Sequence, residues 1–298
     1  MKRIRGFSML ELMVAMALGL LISAAAIQLF LANQMSLNFQ RGMNDVQANG
    51  RFAIDQMTRE FMLAGLGPGV TTTASGTDDL SPVAFVNTDI PGLAAGQPVS
   101  TNNGQDSGIG QSDQIVIQYF ANTDTIDCEG GNVPAGRYVV SRYFIAEDAA
   151  NNDSPSLMCD AGSHNGTAMT VSGTAGDPAN YGGAGTVLLA GVDSFQVLYG
   201  VDDLVITNAT NNRAQVARYM TATQYNALAA PRPEVLAVRI GLFLRSQERA
   251  SNEVELSAPA DVQILDEALV GTTIPNDGLL RRLFITTIML RNQDLRKV

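Results

Sequence analysis

From Phe7 to Ala32 the chain is an almost unbroken apolar run of about 26 residues. Glu11 carries the only charge between Arg5 and Arg41. Wound as an α-helix at 1.5 Å per residue, the run is roughly 39 Å long, enough to cross a hydrocarbon core of about 30 Å with some tilt. Lys2, Arg3 and Arg5 precede it. Cations on that flank hold the N-terminus in the cytoplasm and send the rest of the chain across the membrane. A secretory signal peptide has an apolar core of only about 7–15 residues before a small-residue cleavage site. Ala24, Ala25 and Ala26 offer such a site, yet the apolar run continues past them. A plain membrane anchor fits the length but leaves Glu11 unexplained. An acid inside a span costs on the order of 2.5–3.5 kcal/mol and generally has a partner and a task.

The stretch Gly6-Phe7-Ser8-Met9-Leu10-Glu11 closely resembles the type IV prepilin signal: a short basic leader, glycine, phenylalanine, three residues, then glutamate. The resemblance implies that a prepilin peptidase cuts between Gly6 and Phe7 and that the new Phe7 amine is N-methylated. It also implies that Glu11 pairs with such an amine on a neighbouring subunit. In low dielectric that attraction is strong, so lateral assembly and its axial register are both favoured.

Past Ala32 the pattern becomes amphipathic. Met35, Phe39, Met43, Val46, Ala53, Met57, Phe61 and Ala64 recur at three- and four-residue spacing, with a slip around Gly50. No proline occurs before Pro68, and Gly65-Leu66-Gly67-Pro68-Gly69 is a strong stop. The pattern predicts one helix from about Phe7 to Leu66. Four segments follow: a leader (1–6), a hydrophobic transmembrane and assembly helix (7–34), the amphipathic half of the same helix (35–66) and a β-rich body (67–298).

Residues 70–212 hold sixteen acids against only Arg137 and Arg142, within a chain of net charge −10. Such a body is a poor partner for nucleic acid, whose phosphates require clustered Lys and Arg. The acids read as a solvated surface. After a Thr/Ser/Gly/Asn/Asp-rich stretch (70–112), strand-like runs appear at 113–120, 136–146, 186–201, 234–246 and 281–292, with a short helix at 221–230 and a surface loop at 161–185. Helix first and strands afterwards predict an α+β fold, an antiparallel sheet laid on the exposed half of the helix. The basic end beginning at Arg281 reads as a final strand with a solvated tail, or as a docking edge for an acidic neighbour. Cys128 and Cys159 lie in Gly/Asn/Asp-rich, exposed-looking surroundings. In an exported body they are expected to form one disulfide closing a loop of about thirty residues; two free thiols are the alternative.

Residues 50–65, 191–203, 235–246 and 281–293 resemble the corresponding stretches of PilW-type minor pilins, and the two cysteines flanking a strand-like segment fit as well. This resemblance implies a structural subunit held in the inner membrane with a periplasmic body and later carried into an extracellular pilus. Its partners would be other minor pilins, the major pilin and the prepilin peptidase, with inner-membrane lipid around its helix before assembly. Priming of assembly and a place at the pilus tip are also implied. The J-type minor pseudopilin of type II secretion is the alternative, and a tip adhesin whose loops bind surfaces is another.

Catalytic chemistry finds little support. His164, the single histidine, falls in "AGSHNGT", read as a loop, and Ser107 in "QDSGI" has no histidine before it. Lys2 and Lys297 are the only lysines, which excludes a Walker A loop. No cofactor is expected. Asp202 and Asp203, near Asn208, Asn211 and Asn212, are a weak calcium candidate. "DDLVITN" lacks the alternating oxygens and the glycine that a calcium loop uses.

Overall fold

In the computed structural model, residues 8–67, 81–105, 109–151, 154–166, 169–170, 181–202, 215–229, 232–249, 261–270, 274–275 and 277–292 are described. Helix α1, Met9–Leu63, has 55 residues and is roughly 80 Å long. Residues 8–34 are exposed throughout, with Met9, Leu10, Leu20, Leu21, Ile22 and Phe30 among the large apolar side chains left bare. The buried face begins only at Gly42 and continues through Val46, Gly50, Ala53, Met57 and Phe61. Met35 and Phe39, expected on that stripe, precede the body's edge; Phe39 is 42% exposed. The apparent slip at Gly50 is no break in the pattern. Gly50 occupies a core-facing position because the Phe284 ring lies over it, and an added Cβ would come within 2.4 Å of that ring.

The body strands are β1 (Thr101–Gln105), β2 (Ser112–Phe120), β3 (Thr125–Ile126), β4 (Asn132–Val133), β5 (Tyr138–Asp148), β6 (Ser154–His164), β7 (Met169–Thr170), β8 (Thr186–Ala190), β9 (Val192–Asp202), β10 (Val216–Met220), β11 (Val235–Arg245), β12 (Asp261–Ile264), β13 (Glu267–Val270) and β14 (Arg281–Met289). A short helix, α2 (Ala222–Asn226), follows β10. One antiparallel sheet has the order β1-β2-β5-β6-β7, with β8 also on β6; a second has the order β10-β9-β11-β14; β3-β4 and β12-β13 are small hairpins. The fold is therefore α+β, a long helix against antiparallel sheets.

A continuous core joins the helix to both sheets: Met57 and Phe61 with Ile115, Tyr143, Phe195, Val197, Val238 and Ile288. Phe61 meets the Tyr143 ring edge-on at 5.4 Å. Strand β14 runs beside α1 in the same direction. Leu280 faces Gly42, Phe284 faces Gly50, and the Asn292 side chain donates to the Met62 carbonyl at 2.6 Å. The two sheets meet where β2 begins. There Asp113 accepts the Val197 N–H at 2.7 Å and Ser112 accepts that of Phe195 at 3.2 Å. Side chains thus stand in for a missing strand along that part of β9.

Several expectations need correction. The run 186–201 is two strands in different sheets. Gly191 separates them at φ 77, a conformation that costs little only in glycine, and its backbone bonds to Pro155 on one side and Arg245 on the other. Of the surface loop expected over 161–185, Met169–Thr170 form β7 and 161–164 are the end of β6. Its Pro, Asp and Gly read as turn formers, yet its ladder with β5 is complete from Asp148↔Ser154 to Tyr138↔His164. Not all the acidity is surface: Asp113, Asp127, Asp160 and Asp193 are buried. Asp160 pairs with Arg142 at 3.3 Å, and Asp193 with Arg281 at 2.7 Å.

Candidate processing and assembly site

The helix start is locally encoded. Ser8 is its N-cap, in extended geometry (φ −74, ψ 143). Leu10 donates its N–H to Ser8 Oγ at 3.3 Å, Ser8 donates its own N–H to Glu11 Oε2 at 3.2 Å, and Leu12 closes the first turn on the Ser8 carbonyl at 3.2 Å. This is a capping box. Two N–H groups that the helix cannot satisfy for itself find side-chain acceptors, and the acid sits at the positive end of the helix dipole. Glu11 is exposed and, of the residues singled out in the signal, the one that can be placed; Gly6 and Phe7 lie outside the described residues. Its carboxylate offers about four lone-pair positions. One bond from Ser8 therefore leaves it able to accept from a second donor. In the prepilin pattern Ser8 is one of three spacer residues. The Ser-x-x-Glu spacing was the available signal for it.

The cysteines lie at the far end of the helix. Cys128 and Cys159 are bonded, 31 residues apart in sequence and with Cα atoms at 6.1 Å. They tie the β3–β4 loop to β6. Neither surrounding is the exposed one expected: Cys159 is fully buried in the core and Cys128 half-buried. The loop is braced by acids. Asp127 accepts N–H groups from Gly131 at 2.7 Å and Glu129 at 3.1 Å, and Glu129 accepts that of Ala161 at 3.0 Å. Burial raises the pKa of Asp127 and Glu129 above the usual carboxylate range, against the lowering effect of these bonds.

His164 is not in a loop either. It ends β6, is fully buried and stacks on Tyr138 at 4.8 Å. Its Nδ1 accepts the Gly166 N–H at 3.1 Å, which leaves the proton on Nε2, directed at Gln118 Oε1 at 3.2 Å. Burial first, and the Arg137 charge second, push its pKa down to about 4. Of the calcium candidates, Asp202 ends β9 half-buried while Asp203 lies outside the described residues, as does Ser107. Among the described residues no group of three or more His, Cys, Asp or Glu is placed to hold a metal.

The chemistry available here is therefore that of a helix end and a bare apolar surface. Membrane spanning by α1 is allowed by its length and composition, and large exposed apolar surfaces mark membrane or protein contacts. Two family models agree. A family model for a prokaryotic N-terminal methylation motif matches residues 1–27, and one described as Type IV Pilus-assembly protein W matches residues 142–292. A search of curated proteins found no match. Among solved structures, a type IV-like pilin from Thermus thermophilus aligns with TM-score 0.37 at 14% identity, over 88% of this chain and 96% of that one. The Type IV Pilus-assembly protein W match takes in β6, both principal body strands β9 and β11, and the helix-side strand β14, more than half of the sequence in all. By that measure the chain belongs to the type IV pilus-assembly protein W family and is a minor pilin serving pilus assembly.

Proposed function

We propose that the chain is made as a precursor in the inner membrane and is cut between Gly6 and Phe7 by the prepilin peptidase. Hydrolysis breaks that C–N bond: water's oxygen stays on the Gly6 carboxylate and a proton passes to the new Phe7 amine, which then takes a methyl group from an electrophilic methyl donor, the donor's bond to that carbon breaking as the amine gives up a proton. The body, with Cys128 and Cys159 joined, faces the periplasm. Assembly then draws α1 out of lipid and into a helical fibre alongside other minor pilins and the major pilin. The subunit acts early, in the complex that primes the pilus and remains at its tip.

The observation that carries this reading is the pairing of a bare apolar helix half with an acid fixed at its first turn. A carboxylate in lipid is costly to leave without a counter-charge. The cut creates an ammonium four residues before Glu11, and the neighbouring subunit's ammonium is the strongest partner a fibre can supply. The bond from Ser8 ties the carboxylate to the first turn of α1.

The test is made in cells carrying a functional pilus system. Gly6→Ala is expected to leave the leader attached, and Glu11→Ala to be processed yet poorly incorporated into sheared pili. Wild-type incorporation of the Glu11→Ala chain would refute the pairing. A mature N-terminus other than Phe7 would refute the cut site.

A further inference from the structure

Among the described residues the two large sheets end on β1, β7, β8, β10 and β14. Four of these strands are blunted as edges. β1, β8 and β10 have five residues each and a register shift against their neighbours, and β7 has two residues. Short length and bulges are the usual defence of an edge against an added strand. Strand β14 has neither. It runs nine residues along β11 with no register shift, from Ala237↔Met289 to Arg245↔Arg281, and contains no proline. Its ladder is fixed at both ends: Leu290 donates its N–H to the Leu236 carbonyl at 2.9 Å, and the Leu280 carbonyl accepts that of Ser246 at 2.8 Å. In an antiparallel pair alternate residues bond to the partner strand. Even-numbered residues from 280 to 290 therefore face β11. Leu283, Ile285, Thr287 and Met289 turn their N–H and carbonyl groups to the open side, where no described residue meets them. Ile285 and Met289 are each 50% exposed and Thr287 is exposed, so the edge is not covered.

The charge along this edge has one sign. Arg282 and Arg291 are exposed, and neither is in an ion pair with a described residue; Arg282 lies 5.7 Å from the Phe284 ring. Arg281 is neutralised by Asp193 and Asp277. No acid occurs in the sequence between Asp277 and Asp294. Arg282 and Arg291 are separated by roughly 30 Å of extended chain. We propose that β14 is a docking edge that takes an extended, acid-bearing segment of a neighbouring pilin subunit as the next strand of its sheet. The proposal rests on the reading of this chain as a fibre subunit. Main-chain hydrogen bonds along Leu283 to Met289 supply the attraction. Apolar residues at alternate positions of the incoming strand meet Ile285 and Met289, and carboxylates at its ends meet Arg282 and Arg291. A second copy of this chain is the wrong occupant, because its own β14 brings two more exposed arginines and no acid.

The experiment uses the full-length chain in cells with a functional pilus system. Met289→p-benzoylphenylalanine places a photo-reactive side chain on the edge, and the adduct formed on illumination is mapped by mass. The expected adduct joins position 289 to an extended, acid-bearing segment of another pilin subunit. Arg282→Glu combined with Arg291→Glu breaks no ladder bond and is expected to lower the adduct yield about five-fold. Ile285→Pro removes an N–H that β11 does not use and is expected to lower it about five-fold as well, the equivalent of one main-chain hydrogen bond. An adduct to a second copy, an adduct to lipid, or no adduct overturns the proposal, as does a yield that the paired arginine reversal leaves unchanged. Sheared pili distinguish this failure from failure of the fibre reading. With the unchanged chain present in pili and no adduct at 289, the edge alone is refuted; with the unchanged chain absent from pili, the fibre reading falls and takes the proposal with it.

Discussion

The most quantitative expectation concerns His164, the only histidine in the chain. Its neutral ring is held from both sides. Gly166 donates to Nδ1, Nε2 faces Gln118 Oε1, and Gln118 in turn donates to the carbonyls of Ser81 at 2.5 Å and Asp89 at 2.9 Å. A second proton would set Nδ1–H against the Gly166 N–H and place a charge in a buried site near Arg137. The folded pKa of about 4 lies below the value near 6.5 that an unfolded chain has. On acidification the unfolded state therefore binds the proton first. Stability from this group is complete above pH 6.5, declines as the pH falls through the interval to 4, and levels off below it. Across that interval the loss is about 3 kcal/mol. Acids whose pKa burial raises, the half-buried Glu60 and Asp89 and the buried Asp127 among them, gain stability as the pH falls and would mask the effect. The informative quantity is therefore the difference between the unchanged chain and His164→Asn. Urea unfolding in detergent, followed by the near-ultraviolet tyrosine signal at several pH values from 7 to 4, should show that difference shrinking by about 3 kcal/mol. The imidazole resonance of the folded chain, unambiguous with one histidine, should titrate near 4. Titration near 6.5, or a difference that does not change with pH, would refute the reasoning.

Two further outcomes follow from the packing. Gly50→Ala should destabilise the body by about 1–3 kcal/mol, because the Phe284 ring must move despite the gain in helix propensity. Gly19→Ala, at a position with nothing within 4 Å, should leave the body's unfolding midpoint unchanged, and urea midpoints of the two variants check this contrast. Replacing both Cys128 and Cys159 by serine should cost about 3–4 kcal/mol, on chain-entropy arithmetic for a loop of this length. Equal midpoints with and without the bond would show that the β3–β4 loop is held by Asp127 and Glu129 alone.

Local and periodic information was readable directly. The apolar run, the amphipathic turns from Val46 to Phe61 and the glycine stop define α1 to within a few residues. Strands β2, β5, β11 and β14 are rich in β-branched and aromatic residues and were expected where they lie. Strand β6 was missed because Pro155, Asp160 and Gly162 carry turn propensities; burial and a full ladder with β5 outweigh them. The capping box at Ser8 is local information, since the cap and its acid are only three positions apart in sequence.

Sequence alone determined that this chain crosses a membrane-length distance as one helix, that an acid stands at that helix's start, and that β-strands follow. These are consequences of local propensity and period, which a residue carries with it. Tertiary structure alone decided that Gly50 would face the core, that Gly191 would pass the chain between sheets, and that His164 would be buried and neutral. Each of those outcomes depends on an atom brought close from far along the chain, namely Phe284, Arg245 or Gln118. Burial and hydrogen bonding act through distance in space, and no local pattern records it.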